Sequence, residues 1–233
     1  MTNSEIVTPD PIFVQEFQAD SIRPGGRNSS EELRVLATIA TRSFWNDPLS
    51  NHFFPDLLDQ HERSPAYFGT LLDRAVRNAG IVSVAYDATT EFPVGFSIWY
   101  PPGIDPVGGR LETLRQYVED ALVLATSSDK FDAIRLMNDK KELHPATDHW
   151  YLELLATDPK FQRRGVGQRL IQPQLQQADL NGVIAYLETQ TASNVEYYVK
   201  HGFEVADGPL DVDQAGTVNF WTMIKLPLAT TQT

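Results

Sequence analysis

The sequence predicts a mixed α/β fold, in which a mixed sheet is covered by helices. Three observations carry that reading. An early strand hairpin is followed by the order strand, helix, strand, helix, strand, strand, which calls for parallel as well as antiparallel pairs. A polar loop with two closely spaced glycines turns one strand into an apolar-periodic helix at Gly165. The 233 residues, 42% hydrophobic and 10% aromatic, hold enough apolar material for the core of one large domain.

Taken in order, residues 1–11 and 228–233 read as tails, leaving 12–227 as a single domain. Ile12 to Phe17 opens as a strand. Ser29-Ser30-Glu31-Glu32 has the Ser-x-x-Glu spacing of a capping box, and Leu33, Leu36 and Ala40 follow at helical spacing. A second helix runs from Pro65 to Ala79, with Phe68, Leu71, Leu72, Ala75 and Val76 on one face and Gly80 as its stop. Ile81 to Tyr86 and Val94 to Tyr100 form a hairpin, closed off by Pro101-Pro102-Gly103.

Residues 101–148 are long for a connection. Leu111 to Ala125 and Phe131 to Leu143 give them two helices, a helical insertion over the sheet. His149 to Ala156 is a strand, Gly165 to Leu180 a helix and Val183 to Glu188 a strand. Ser193 to His201 is a helix, Phe203 to Val205 a short strand and Thr217 to Leu226 a long closing strand. Pro173 lies inside the helix after Gly165, where an uncompensated lost hydrogen bond and ring clash cost about 3 kcal/mol and kink the axis.

Composition excludes several classes. There is no cysteine, hence no disulfide framework, cysteine-ligated metal, iron–sulfur cluster or cysteine nucleophile. A net charge of −12 argues against nucleic-acid binding, whose affinity comes mostly from phosphate neutralisation. There is no basic leader with an apolar stretch and no apolar run of about 18 residues, so a cytoplasmic protein without membrane contact is expected. His52, His61, His144, His149 and His201 show no His-x-x-x-His or His-Glu pairing, and no metal site is expected. Against the acidic background, residues 159–178 carry Lys160, Arg163, Arg164 and Arg169 with no acid, which suggests a local anion site.

That island contains Gln162-Arg163-Arg164-Gly165-Val166-Gly167 at a helix start. Consecutive backbone amides there, with the positive end of the helix dipole behind them, bind anions, and glycines admit a phosphate oxygen close to the main chain. A dinucleotide-binding turn fits poorly: Leu170 stands where the third glycine belongs, and Asp158 to Arg164 separates the glycines from their strand. The hexapeptide instead resembles the Gln/Arg-x-x-Gly-x-Gly/Ala acetyl-CoA motif of the GNAT acyltransferases. Asn194, Tyr198 and Gly202-Phe203 downstream are similar to that family's second half. His149-Trp150-Tyr151-Leu152, Leu187-Glu188-Thr189 and Asn194-x-x-x-Tyr198-x-x-x-Gly202-Phe203 lean towards its puromycin N-acetyltransferase-like members, from which Tyr197, often Phe there, departs.

The resemblance implies a roughly seven-stranded, mostly antiparallel sheet whose central parallel strands splay apart. It also implies direct acetyl transfer to an amine in a ternary complex. The cofactor site it implies is Leu155, Thr157, Arg163, Arg164, Gly165, Val166, Gly167, Gln168 and Asn194, with acetyl-CoA as co-substrate and no metal. Tyr198 matches the family's general acid; a packed helix aromatic is the plainer alternative. Glu153, in an apolar strand where burial should raise its pKa, is the candidate base, or else a solvent-facing or salt-bridged strand glutamate.

Glu188 ranks below it, as substrate binder, proton relay or helix cap. Trp45, Tyr100 and Trp150 are candidate acceptor-pocket aromatics, with core packing as their alternative; the segment from Phe44 to Phe54 should help wall that pocket. The acceptor is expected to be a small-molecule amine, and the enzyme a monomer or homodimer. Rival readings are a protein or peptide N-acetyltransferase and a non-catalytic acyl-CoA-binding module.

Overall fold

A computed structural model describes residues 11–104, 143–211 and 218–228. The two helices expected between Leu111 and Leu143 therefore fall outside the described residues, Leu143 apart. Seven strands form one sheet in the order β1-β2-β3-β4-β5-β7-β6. They are β1 (Ile12–Glu16), β2 (Ile81–Asp87), β3 (Pro93–Tyr100), β4 (Trp150–Thr157), β5 (Ala185–Thr189), β6 (Glu204–Asp211) and β7 (Asn219–Lys225). Among the described strands, β4 and β5 alone pair in parallel. The described helices are α1 (Ser29–Ser43), α2 (Pro48–Phe53), α3 (Leu57–Glu62), α4 (Ser64–Arg77), α5 (Val166–Asn181) and α6 (Ala192–Val199).

β3 is buried along its whole length because both faces are covered. Phe96, Ile98 and Tyr100 join the cluster built with Leu36 of α1 and Leu72 of α4. On the opposite face Trp99 packs with Ile171 and Leu175 of α5, and the Ser97 hydroxyl donates to the Leu170 carbonyl at 3.1 Å. α5 runs through Pro173 without a break.

The feature that positions a site lies between β4 and β5. They pair only at Trp150 with Ala185, Tyr151 with Tyr186 and Leu152 with Leu187. Beyond that, β4 stays with β3 and β5 stays with β7, so the two strands part as expected of splayed central strands. The parting begins at a bulge: Trp99 opposes Leu152 and Ile98 opposes Leu154, leaving Glu153 as the extra residue. The Asp158 amide donates to the Val94 carbonyl on the β3 side. By strand alternation the amides of Leu155 and Thr157 face the other edge, the one β5 has vacated.

Three local expectations need correction. The cap of α1 is Asn28, not Ser29: its side chain accepts from the Glu31 amide at 3.0 Å, and the Glu31 carboxylate returns to the Asn28 amide at 2.9 Å. Glu32 is released from the cap and buried, held by Arg27 at 2.6 Å and by the Tyr86 hydroxyl at 2.6 Å. α4 ends through Ala79, which takes the left-handed turn with φ 58°, and Gly80 only follows it. The Phe44 to Phe54 segment folds largely into α2, and α3 follows it. Asp47 caps α2 and Asp56 caps α3, a signal present in the sequence. β6 extends to Asp211 rather than ending at Val205, because register shifts on either side of Asp207 accommodate poor strand formers.

Candidate active site

A cavity of about 560 Å³ occupies the wedge where β4 and β5 separate. Its helical wall is Phe44, Phe53, Tyr67, Phe68 and Arg74; its sheet side includes Tyr151, Glu153, Leu155 and Glu188, with Asn194 and Tyr198 of α6. Four of the sequence candidates therefore meet here: Glu153, Glu188, Asn194 and Tyr198, with Leu155 leading from the cavity to the phosphate-binding turn.

That turn has the geometry of an anion cradle. Gly165 is the N-terminal cap of α5 in the left-handed region at φ 77°, with no side-chain cap. Arg163 is left-handed too, at φ 62°. The first helical bond runs from the Arg169 amide to the Gly165 carbonyl at 3.2 Å, so the amides of Val166, Gly167 and Gln168 precede the helical ladder and have no capping side chain. Space around Gly165 is open: a Cβ there would meet nothing within 4 Å. Arg163 and Arg164 are exposed on either approach, Arg164 lying 5.1 Å from the Phe161 ring. These residues fit a pyrophosphate, which needs amide donors, a dipole and flanking cations together.

Gly167 has a second role. A Cβ at that position would sit 2.6 Å from the Tyr197 hydroxyl and 3.6 Å from Leu155 Cδ2. Its missing side chain lets α6 close over the start of α5. The neighbour Tyr198 turns the other way, 9% exposed, with its ring 5.7 Å from Phe203 and its edge on the cavity. Burial, then the neighbouring Tyr197, raises the Tyr198 pKa well above the usual phenol value, so it is a protonated donor at neutral pH. Thr157 donates its amide to the Ser43 hydroxyl at 3.4 Å, whereas Leu155 faces the wedge.

Glu153 does not sit among apolar side chains alone. The bulge turns it into an ion pair with Arg74 of α4, the two side chains 12% and 8% exposed. Of its alternative readings, solvent-facing or salt-bridged, the ion pair matches the second. The proposed aromatic lining also needs correction. Tyr100 is fully buried behind Tyr151, their rings stacked at 6.3 Å. Trp150 packs edge-on against Trp99 on the α5 face. Trp45 lies against His61 of α3 at 4.8 Å. None of the three lines the cavity; Phe44, Phe53, Tyr67, Phe68 and Tyr151 do.

Glu188 is the most enclosed acid in the wedge, its side chain 2% exposed. It accepts from the Tyr151 hydroxyl at 3.0 Å and the Tyr186 hydroxyl at 3.1 Å, and it faces His144 Nε2 at 3.1 Å. His144 Nδ1 in turn lies 3.1 Å from His149 Nε2. The sequence missed this Glu-His pairing, because His144 and Glu188 are brought together only by the parallel register of β4 and β5. The nitrogens stand in series and do not converge on one point, so they make no metal shell, and among the described residues no group of metal-ligating side chains is found. Among those residues, too, no helix is long and apolar enough to cross a membrane.

Comparison with known proteins agrees with this geometry. The model of the Acetyltransferase (GNAT) family matches residues 111–203. A solved structure titled as histone acetyltransferase HPA2 and related acetyltransferase, from Corynebacterium glutamicum, is 22% identical with a TM-score of 0.63, covering 95% of this chain and 99% of its own. A mosquito arylalkylamine N-acetyltransferase like 5b is 17% identical with a TM-score of 0.56, over 92% and 99% of the two chains. The PaiA N-acetyltransferase of Thermoplasma acidophilum, solved in complex with coenzyme A, is 15% identical with a TM-score of 0.50, over 92% and 99%. These three are likenesses of fold. Residues 111–203 thus match the GNAT acetyltransferase family, and the described chain carries the GNAT fold.

Proposed function

We propose that the protein is an acetyl-CoA-dependent N-acetyltransferase that acetylates a primary amine of a small molecule. The observation that carries this reading is the wedge itself: Tyr198 and a buried acid line one cavity, and Leu155 on its wall also lies against Gly167 at the anion-binding helix start. Amides 166–168, with Arg163 and Arg164, hold the pyrophosphate. The vacated edge of β4 at Leu155 and the side chain of Asn194 guide the pantetheine arm. The coenzyme A complex of the PaiA neighbour supports coenzyme A binding on this fold. Acetyl-CoA supplies a thioester carbon; the amine's C–N bond to it forms as the C–S bond breaks, giving amide and free thiol.

The Leu155 amide faces the edge where the carbonyl oxygen gains charge and donates to it. Tyr198, kept protonated by burial, delivers its proton to the departing sulfur. Glu153 holds Arg74 in the helical wall of the cavity. The leaning towards puromycin N-acetyltransferase-like members rests on the motif residues. A small acceptor is favoured over a peptide because α2 and α4 wall the cavity with Phe53, Tyr67 and Phe68, where a peptide needs an open groove.

Tyr198→Phe tests this reading. Thiol release should fall roughly 10²-fold in kcat, the usual worth of a positioned acid, with the KM for acetyl-CoA unchanged. Unaltered turnover removes Tyr198 from the chemistry.

A further inference from the structure

Three polar contacts run in series along the cavity wall: Glu188 Oε1 to His144 Nε2 at 3.1 Å, His144 Nδ1 to His149 Nε2 at 3.1 Å, and His149 Nδ1 to the Thr147 carbonyl at 2.7 Å. Both ends are acceptors, a carboxylate and a carbonyl. Three hydrogen bonds need three ring protons, and two neutral imidazoles bring one each. The series is complete only when it holds one proton more. With both rings neutral, His144 Nδ1 and His149 Nε2 point lone pairs at each other across that 3.1 Å gap. Glu188 is held as the anion that balances the extra proton, because Tyr151 and Tyr186 both donate to it.

We propose that Glu188, His144 and His149 form a proton relay that strips the acceptor ammonium before attack, with the gap between the two imidazoles as the seat of the proton. This rests on the acetyltransferase reading. An alkyl ammonium with a pKa of about 10.4 cannot attack until one proton leaves its nitrogen. That proton enters the imidazole gap and passes to solvent through partly exposed His149. The nitrogen's second proton leaves as the amide forms and replaces the one Tyr198 gives to sulfur. One ammonium and one thioester thus yield one amide, one thiol and one released proton.

The surroundings set the sign. Rings of Tyr151 and Tyr186 flank His144 at 4.5 and 4.7 Å. Burial first, then the charge of His144, lowers the His149 pKa; the Thr147 carbonyl, Glu188 and Asp148 act the other way. His149 therefore gives up a proton more readily than a free imidazole, which empties the gap for the next ammonium, and the rate falls on acidification.

Ring-nitrogen NMR of the wild-type protein, which has five histidines in all, reads this directly. His144 and His149 should take up a single proton in one shared step, which Glu188→Gln moves to lower pH. Two independent titrations near the ordinary histidine value overturn the relay. In thiol-release assays, His144→Gln should lose roughly 10²-fold or more with a primary alkylamine and far less with a weakly basic arylamine already neutral at pH 7. Equal loss with both also overturns it. Shared titration without thiol release from any acceptor contradicts the acetyltransferase reading instead.

Discussion

A methyl group added at Gly167 would stand 2.6 Å from the Tyr197 hydroxyl, and the next atom of that ring is 3.4 Å away. The conflict is thus with one oxygen. Gly167→Ala should weaken acetyl-CoA binding by pushing α6 off the start of α5, and adding Tyr197→Phe should restore most of it. Calorimetric titration of the two variants checks this; no rescue would mean that the glycine serves the phosphate alone. Residue by residue, the turn was the most legible part of the site, because strand, polar loop, Gly-x-Gly and apolar helix are adjacent in sequence. The relay was the least legible. Its members come from the residues before β4 and from the end of β5, and a series of hydrogen bonds leaves no spacing signature.

Secondary elements meet at the site through a few buried polar ties, and the pair of Arg74 on α4 with Glu153 on β4 is the chief one. Removing the Glu153 charge takes an ion-pair partner from a guanidinium that is 8% exposed. Glu153→Gln should therefore cost about 3–5 kcal/mol, whereas Arg74→Leu with Glu153→Leu should recover much of it. Urea denaturation of the three proteins measures this; a double variant as unstable as the single one would contradict it. The strand and helix order of the described chain was readable from periodicity, since β2, β3, β4 and α5 bury continuous apolar faces. The bulge at Glu153 was not readable. It depends on β3 register, and it brings this carboxylate to the Arg74 guanidinium.

Over the whole molecule, a net charge of −12 surrounds a turn bearing exposed Arg163 and Arg164. Attraction between that turn and a polyphosphate is screened once the Debye length, about 10 Å at 0.1 M salt, shrinks. Raising salt should increase the KM for acetyl-CoA several-fold and leave kcat in place. Arg163→Gln with Arg164→Gln should flatten that dependence. Composition alone foretold the acidic surface, but only the fold places the basic turn at one end of the wedge and the buried acid within it.

The most direct measurement is thiol release from acetyl-CoA by the wild-type protein, offered pooled small primary amines in one arm and peptides with free amino groups in the other. Release with a small-amine pool and none with peptides is the predicted result. Release with peptides alone, or tight acetyl-CoA binding with no release in either arm, would contradict a walled small-amine acetyltransferase.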